Sequence, residues 1–207
     1  MIASKSITKE IVSSGISYEE YRALTARLFA EGKVTGLKQT PARLEFTSLN
    51  IQRMSRLDKT VMLLPELAAR AATLRRKQTW VLLAQGWCGD CAQLVPVIAK
   101  IAEAGGEMID LRIINPDDHP EVMEAYRTNG SLSVPKLVIL DAVSLEELAT
   151  WGPRPAPAQK IMLGWKHSEN PVSWADFEKE LHTWYAKDKT VTTQEEFLGL
   201  ASWPLVT

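Results

Sequence analysis

Two cysteines stand two residues apart in Trp87-Cys88-Gly89-Asp90-Cys91, and the 207-residue chain has no others. A short apolar run, Trp80 to Ala84, leads into them, and a helix-patterned stretch follows at once. At the start of that helix Cys88 would meet unpaired backbone N–H groups and the positive end of the macrodipole, both of which favour a thiolate. Cys91, nearly one turn further in, would be close enough to attack a mixed disulfide formed on Cys88. Strand, then CxxC, then helix is the context in which such a pair reads as a dithiol/disulfide couple. The competing chemistry is structural zinc, which needs four ligands. His119, His167 and His182 are scattered without ligand spacing, so no metal is expected and these histidines read as surface or cap residues.

At these positions the chain resembles the thioredoxin family, whose common motif is Trp-Cys-Gly-Pro-Cys. Ser133-Val134-Pro135-Lys136-Leu137-Val138-Ile139-Leu140 resembles the family's cis-proline segment, and Trp151-Gly152 sits where the family has a glycine after its last strand. The likeness spans roughly residues 78–155. It implies an α/β thioredoxin fold, a central mixed β-sheet flanked by helices, and thiol–disulfide exchange with Cys88 as nucleophile and Cys91 as resolving thiol. Trp87, Gly89, Asp90, Val134 and Pro135 would then form the substrate-binding surface. Trp87 would pack beside the sulfurs, and a cis Val134–Pro135 bond would leave the Val134 backbone open to an extended substrate.

The same resemblance implies no bound cofactor, because electrons travel through the two sulfurs. The expected substrate is a disulfide-containing protein, with a reductase or a low-molecular-weight thiol as electron donor. Two other readings stand beside it: an interaction protein that keeps the scaffold, or a reductase of a small substrate such as a peroxide or an arsenical. Two residues depart from the family pattern. Leu82 occupies the place of the buried acid that assists the resolving thiol, which leaves water, Asp90 or Lys136 as candidate bases. Asp90 replaces the motif's proline, and a carboxylate beside the sulfurs should disfavour a thiolate by like-charge repulsion.

A formal net charge of −1, with 45% hydrophobic and 24% charged residues, gives no general reason to expect nucleic acid or an anionic membrane as partner. The first ten residues lack the apolar core of a signal peptide, and no later stretch approaches a membrane span. A cytoplasmic location fits best, and there a CxxC pair suggests catalysis and not a cross-link. Arg70, Arg75, Arg76 and Lys77 form the one basic concentration, read as the cationic end of a helix. The oligomeric state is left open.

Three regions follow: a helical N-terminal extension over 1–77 packed on the core, a thioredoxin-like core over 78–155, and C-terminal helices of the same domain over 156–207. Ser17 with Glu20 forms a capping box, and the helix it opens should stop near Gly32. Thr35 to Thr47 reads as a connector. From Leu49 to Arg76 an apolar stripe (Met54, Leu57, Val61, Leu64, Ala68, Ala71) predicts helix, kinked or split at Pro65. The core should run β-α-β-α-β-β-α, with Pro96 inside its first helix and a second helix from Pro120 to near Asn129-Gly130. Lys136–Leu140 and Glu147–Trp151 should pair as a hairpin. Pro153 to Pro157 reads as a stiff connector, followed by helices from Ala158, Ser173 and Thr192.

Overall fold

The structure, a computed structural model, describes residues 6–200 and Trp203. Four strands form one sheet: β1 (Gln78–Leu83), β2 (Ile109–Ile114), β3 (Lys136–Asp141) and β4 (Glu147–Trp151). Their order is β2-β1-β3-β4, with β1 parallel to β2 and the other two pairings antiparallel. The central strands β1 and β3 are buried along their whole length, as a sheet covered on both faces requires.

Alternation along those strands sorts the core into two layers. Trp80, Leu82, Leu137 and Ile139 face a large cluster that also takes in α5 (Gly89–Ala104), Met54 of α3 (Pro41–Thr60), Phe177 of α8 (Trp174–Asp188) and Phe197 of α9 (Val191–Leu198). Val81, Leu83, Val138 and Leu140 face a smaller cluster with Ile11 of α1 (Lys9–Ser14) and Val122 and Met123 of α6 (Pro120–Ala125). Residues before and after the 78–155 segment therefore help to fill the core on which the CxxC helix rests. The expected hairpin and the mixed, helix-flanked sheet are both present, so the fold is the α/β thioredoxin type.

Several boundaries differ from the sequence-based expectation. The Ser17–Glu20 capping box opens α2 (Tyr18–Ala30) as expected, but the connector after it ends at Thr40. Thr40 caps α3 by accepting from the Arg43 N–H, and Pro41 fits the first turn, where no N–H is needed. Pro65 likewise opens a separate helix, α4 (Pro65–Ala72). The break resets the helical phase, so Leu67 is fully buried while Ala68 is only half-buried. The basic cluster mostly lies beyond α4: Arg76 pairs with Asp141 at 2.5 Å and anchors the β3–β4 hairpin.

α6 stops at Ala125, ahead of the tight Thr128–Ser131 turn that holds Asn129 and Gly130 in the left-handed region. The stiff stretch after β4 is also shorter, because Pro155 caps α7 (Ala156–Lys166) and Pro157 falls in its first turn. Ser173 caps α8, accepting from the Asp176 N–H. α9 instead starts after Thr190 without a side-chain cap, and Thr192 binds back to Asp188 of α8.

Candidate active site

Cys88 is the N-cap residue of α5, so its sulfur sits at the end of a helix whose first N–H groups have no intrahelical partner. Cys91 follows within the first turn and is fully buried, and both cysteines are free thiols. Burial pushes the Cys91 thiol well above its ordinary range, and its hydrogen bond with Cys88 adds to the effect. The Cys88 thiol lies 3.5 Å from the Val134 carbonyl oxygen, and the Val134–Pro135 peptide is cis. Gly152 stands behind this segment with φ +106°, and a Cβ there would lie 2.5 Å from the Pro135 carbonyl oxygen. Only glycine lets β4 end so close to that backbone.

Asp90 lies beside the sulfurs, and its charge is among the causes that raise the Cys91 thiol, as like-charge repulsion predicts, but it is a buried and partnered carboxylate. It is 6% exposed, its Oδ2 lies 2.5 Å from Arg154 Nη2, and its Oδ1 accepts from the Tyr185 hydroxyl at 2.8 Å. The guanidinium offsets much of the charge that like-charge repulsion would have used. Burial still pushes the Asp90 carboxyl above its usual range, against the pull of Arg154 and Tyr185. One residue of the motif thus joins the CxxC turn to the loop after β4 and to α8.

The N-terminal helices brace the other side. The Gly86 N–H donates to Thr35 Oγ1 at 2.8 Å, and the Gly86 carbonyl accepts from Asn50 Nδ2 at 2.9 Å. Trp87, half-buried beside Cys88, carries the Arg43 guanidinium 3.8 Å from its ring centre. Above the cysteine lies an open cleft of about 250 Å³, floored by Cys88 and the motif, with α3, α7, α8 and residues 132–134 around it.

The thioredoxin family pattern matches residues 37–173, which run from the loop before α3 to the residue that caps α8. The chain belongs to the thioredoxin family. The thioredoxin of Pyropia yezoensis is 39% identical over 56 residues, covering 27% of this chain and 50% of that protein. That of Alicyclobacillus acidocaldarius is 32% identical over 53 residues, covering 26% and 48%. The chain spans about half the length of the curated relatives it matches. A crystallised protein of unknown function from Pseudomonas aeruginosa aligns over 92% of this chain and 99% of its own, with a TM-score of 0.50 and 13% identity, a likeness of fold.

Among thioredoxin positions the structure brings Trp87, Cys88, Gly89, Cys91, Val134 and Pro135 together, as the motifs imply. Lys136, a candidate base, does not line the cleft; its Nζ lies 3.4 Å from Thr128 Oγ1. Two further residues stand near the sulfurs: Tyr21, and His182, which is half-buried within α8 and not the surface or cap residue expected from the sequence. Tyr21 of α2 is buried, its hydroxyl has no hydrogen-bond partner among the described residues, and burial, then Cys91 and Cys88, raise its pKa well above the usual value. His182 of α8 faces Gly89, where a Cβ would come within 2.9 Å of its Nε2. Its helical spacing ahead of Tyr185 was the available signal, but nothing local says which helix covers the motif.

Proposed function

We propose that this thioredoxin-family protein is an oxidoreductase that reduces disulfides through the Cys88–Cys91 couple. The observation that carries the reading is an accessible thiol at the N-cap of α5 with a second, fully buried thiol one turn inside. The Cys88 thiolate attacks one sulfur of a substrate disulfide, and the other substrate sulfur leaves as a thiolate that takes up a proton. Cys91 then loses its proton and attacks Cys88 Sγ. This releases the second substrate thiol and leaves the Cys88–Cys91 disulfide, two electrons having passed to the substrate. An external thiol or a reductase returns the couple to its reduced form.

The raised pKa of Cys91 fits the order of events. Burial keeps Cys91 protonated until the mixed disulfide forms, and tying Cys88 into that bond removes the part of the upward shift that Cys88 causes. Trapping tests the reading: Cys91→Ser should accumulate a mixed disulfide on Cys88 that dithiothreitol releases, whereas Cys88→Ser should form none. Cys91→Ser protein that stays unmodified under disulfide challenge would favour a scaffold that binds partners without exchange. A reduction potential near or below about −270 mV would suit a reductase in a reducing compartment such as the cytoplasm.

A further inference from the structure

The part of the motif that lies between the cysteines is covered by the chain itself. A Cβ on Gly89 would meet the His182 ring at 2.9 Å, and Asp90 is sealed under Tyr185 and Arg154. A folded protein that offers its disulfide to Cys88 brings a surface with it, and even small transient redox interfaces take several hundred Å² from each partner (roughly 600 Å² or less). Here α8 already occupies that ground. It is held there by α7, through Trp165 stacked on Phe177 at 4.8 Å and edge-on to Trp174 at 5.3 Å.

What remains open above Cys88 is the cleft of about 250 Å³. A closed apolar cavity of about 150 Å³ accommodates benzene, so this space suits about ten non-hydrogen atoms. Phe46, Trp87, Leu132, Val134, Met162 and Trp174 give it mostly apolar walls. Polar groups also line it: His182, Glu178 and the Asp90–Arg154 pair. His182 Nδ1 lies 3.2 Å from the Gln93 amide nitrogen, a contact that holds the ring beside Gly89.

We propose that the cleft selects compact, largely apolar disulfides of low molecular weight and turns folded proteins away. This rests on the exchange chemistry proposed above and narrows its substrate class. In each turnover the substrate S–S bond breaks, the Cys88–Cys91 bond forms, and two electrons and two protons pass to the two substrate sulfurs.

The test is a single-turnover comparison on the reduced 207-residue chain. Lipoamide (compact and apolar), glutathione disulfide (larger and polar) and insulin are mixed with it separately, and oxidation of the couple is followed by acid quenching and alkylation. Each rate is divided by that of dithiothreitol with the same disulfide, which removes intrinsic reactivity. The normalised rate for lipoamide should exceed those for insulin and glutathione disulfide by about tenfold or more. Trp174→Ala, at a position 48% exposed on α8, should raise the insulin rate and lower the lipoamide rate.

Insulin or glutathione disulfide matching lipoamide in the wild-type chain would overturn the proposal while leaving the exchange chemistry intact. Unchanged ratios in a folded Trp174→Ala chain would remove α8 as the selecting wall. If none of the three oxidises the couple, the exchange reading itself falls. The wild-type comparison does not depend on whether the variant folds.

Discussion

Burial, with Arg53 nearby, lowers the His182 imidazole to about 4. The unfolded chain binds a proton at this residue from about pH 6.5 downward, and the folded chain does not until about 4. The neutral ring therefore contributes stability that is present above pH 6.5 and lost as pH falls towards 4. Between pH 7 and 5 the loss should be about 2 kcal/mol, and His182→Gln should remove it from urea unfolding measured at the two pH values. The Asp90 carboxyl, shifted upward, contributes with the opposite sign, and comparing the two chains cancels it. Tyr21 carries a different expectation. Its buried hydroxyl has no partner among the described residues, so Tyr21→Phe should raise stability by about 1 kcal/mol, measured the same way.

Single elements are held by close backbone approaches as much as by side-chain area. β4 reaches Trp151 and then turns at Gly152, whose missing Cβ leaves room for the Pro135 carbonyl beside the cysteine-bearing turn. Gly152→Ala combines a left-handed φ with a backbone clash and should cost at least about 2 kcal/mol. Thermal unfolding checks the cost. Oxidation kinetics of the couple in the folded fraction should change too, because the Val134–Pro135 segment has to move. Elsewhere short polar contacts fix the elements: Thr40 starts α3, Ser173 starts α8, and Arg76 ties the residues after α4 to the hairpin.

The whole molecule is bound together by helices from both ends of the chain on one face of the sheet. Phe197 of α9 is fully buried, 5.8 Å from the Trp80 ring of β1 and 5.1 Å from Trp151 of β4. Phe197→Ala should cost about 3–5 kcal/mol by chemical denaturation, the usual range for deleting a buried aromatic ring. If the C-terminal helices were a loose appendage, the loss would be within about 0.5 kcal/mol, as at an exposed position. The same variant should leave trapping at Cys88 intact in the folded fraction, since Phe197 does not line the cleft.

Local physics made much of this protein legible from its sequence. A cap, a short apolar strand or a CxxC at a helix start depends on residues within a few positions. The Ser17 box, the buried strands, the split at Pro65 and the placing of Cys88 and Cys91 could all be read that way. Thr40-Pro41 and Pro155-Ala156-Pro157 read as connectors because proline ends helices and also starts them; Thr40 caps α3 through its side chain, but Pro155 ahead of α7 offers no such signal. Tertiary structure alone decided what surrounds the sulfurs. The Asp90–Tyr185 hydrogen bond joins residues 95 positions apart and Gln93–His182 joins residues 89 apart. No periodicity encodes which helix will cover a motif. That choice is made by packing, when Phe177, Trp174 and Trp165 find one another and bring α8 down over Gly89 and Asp90.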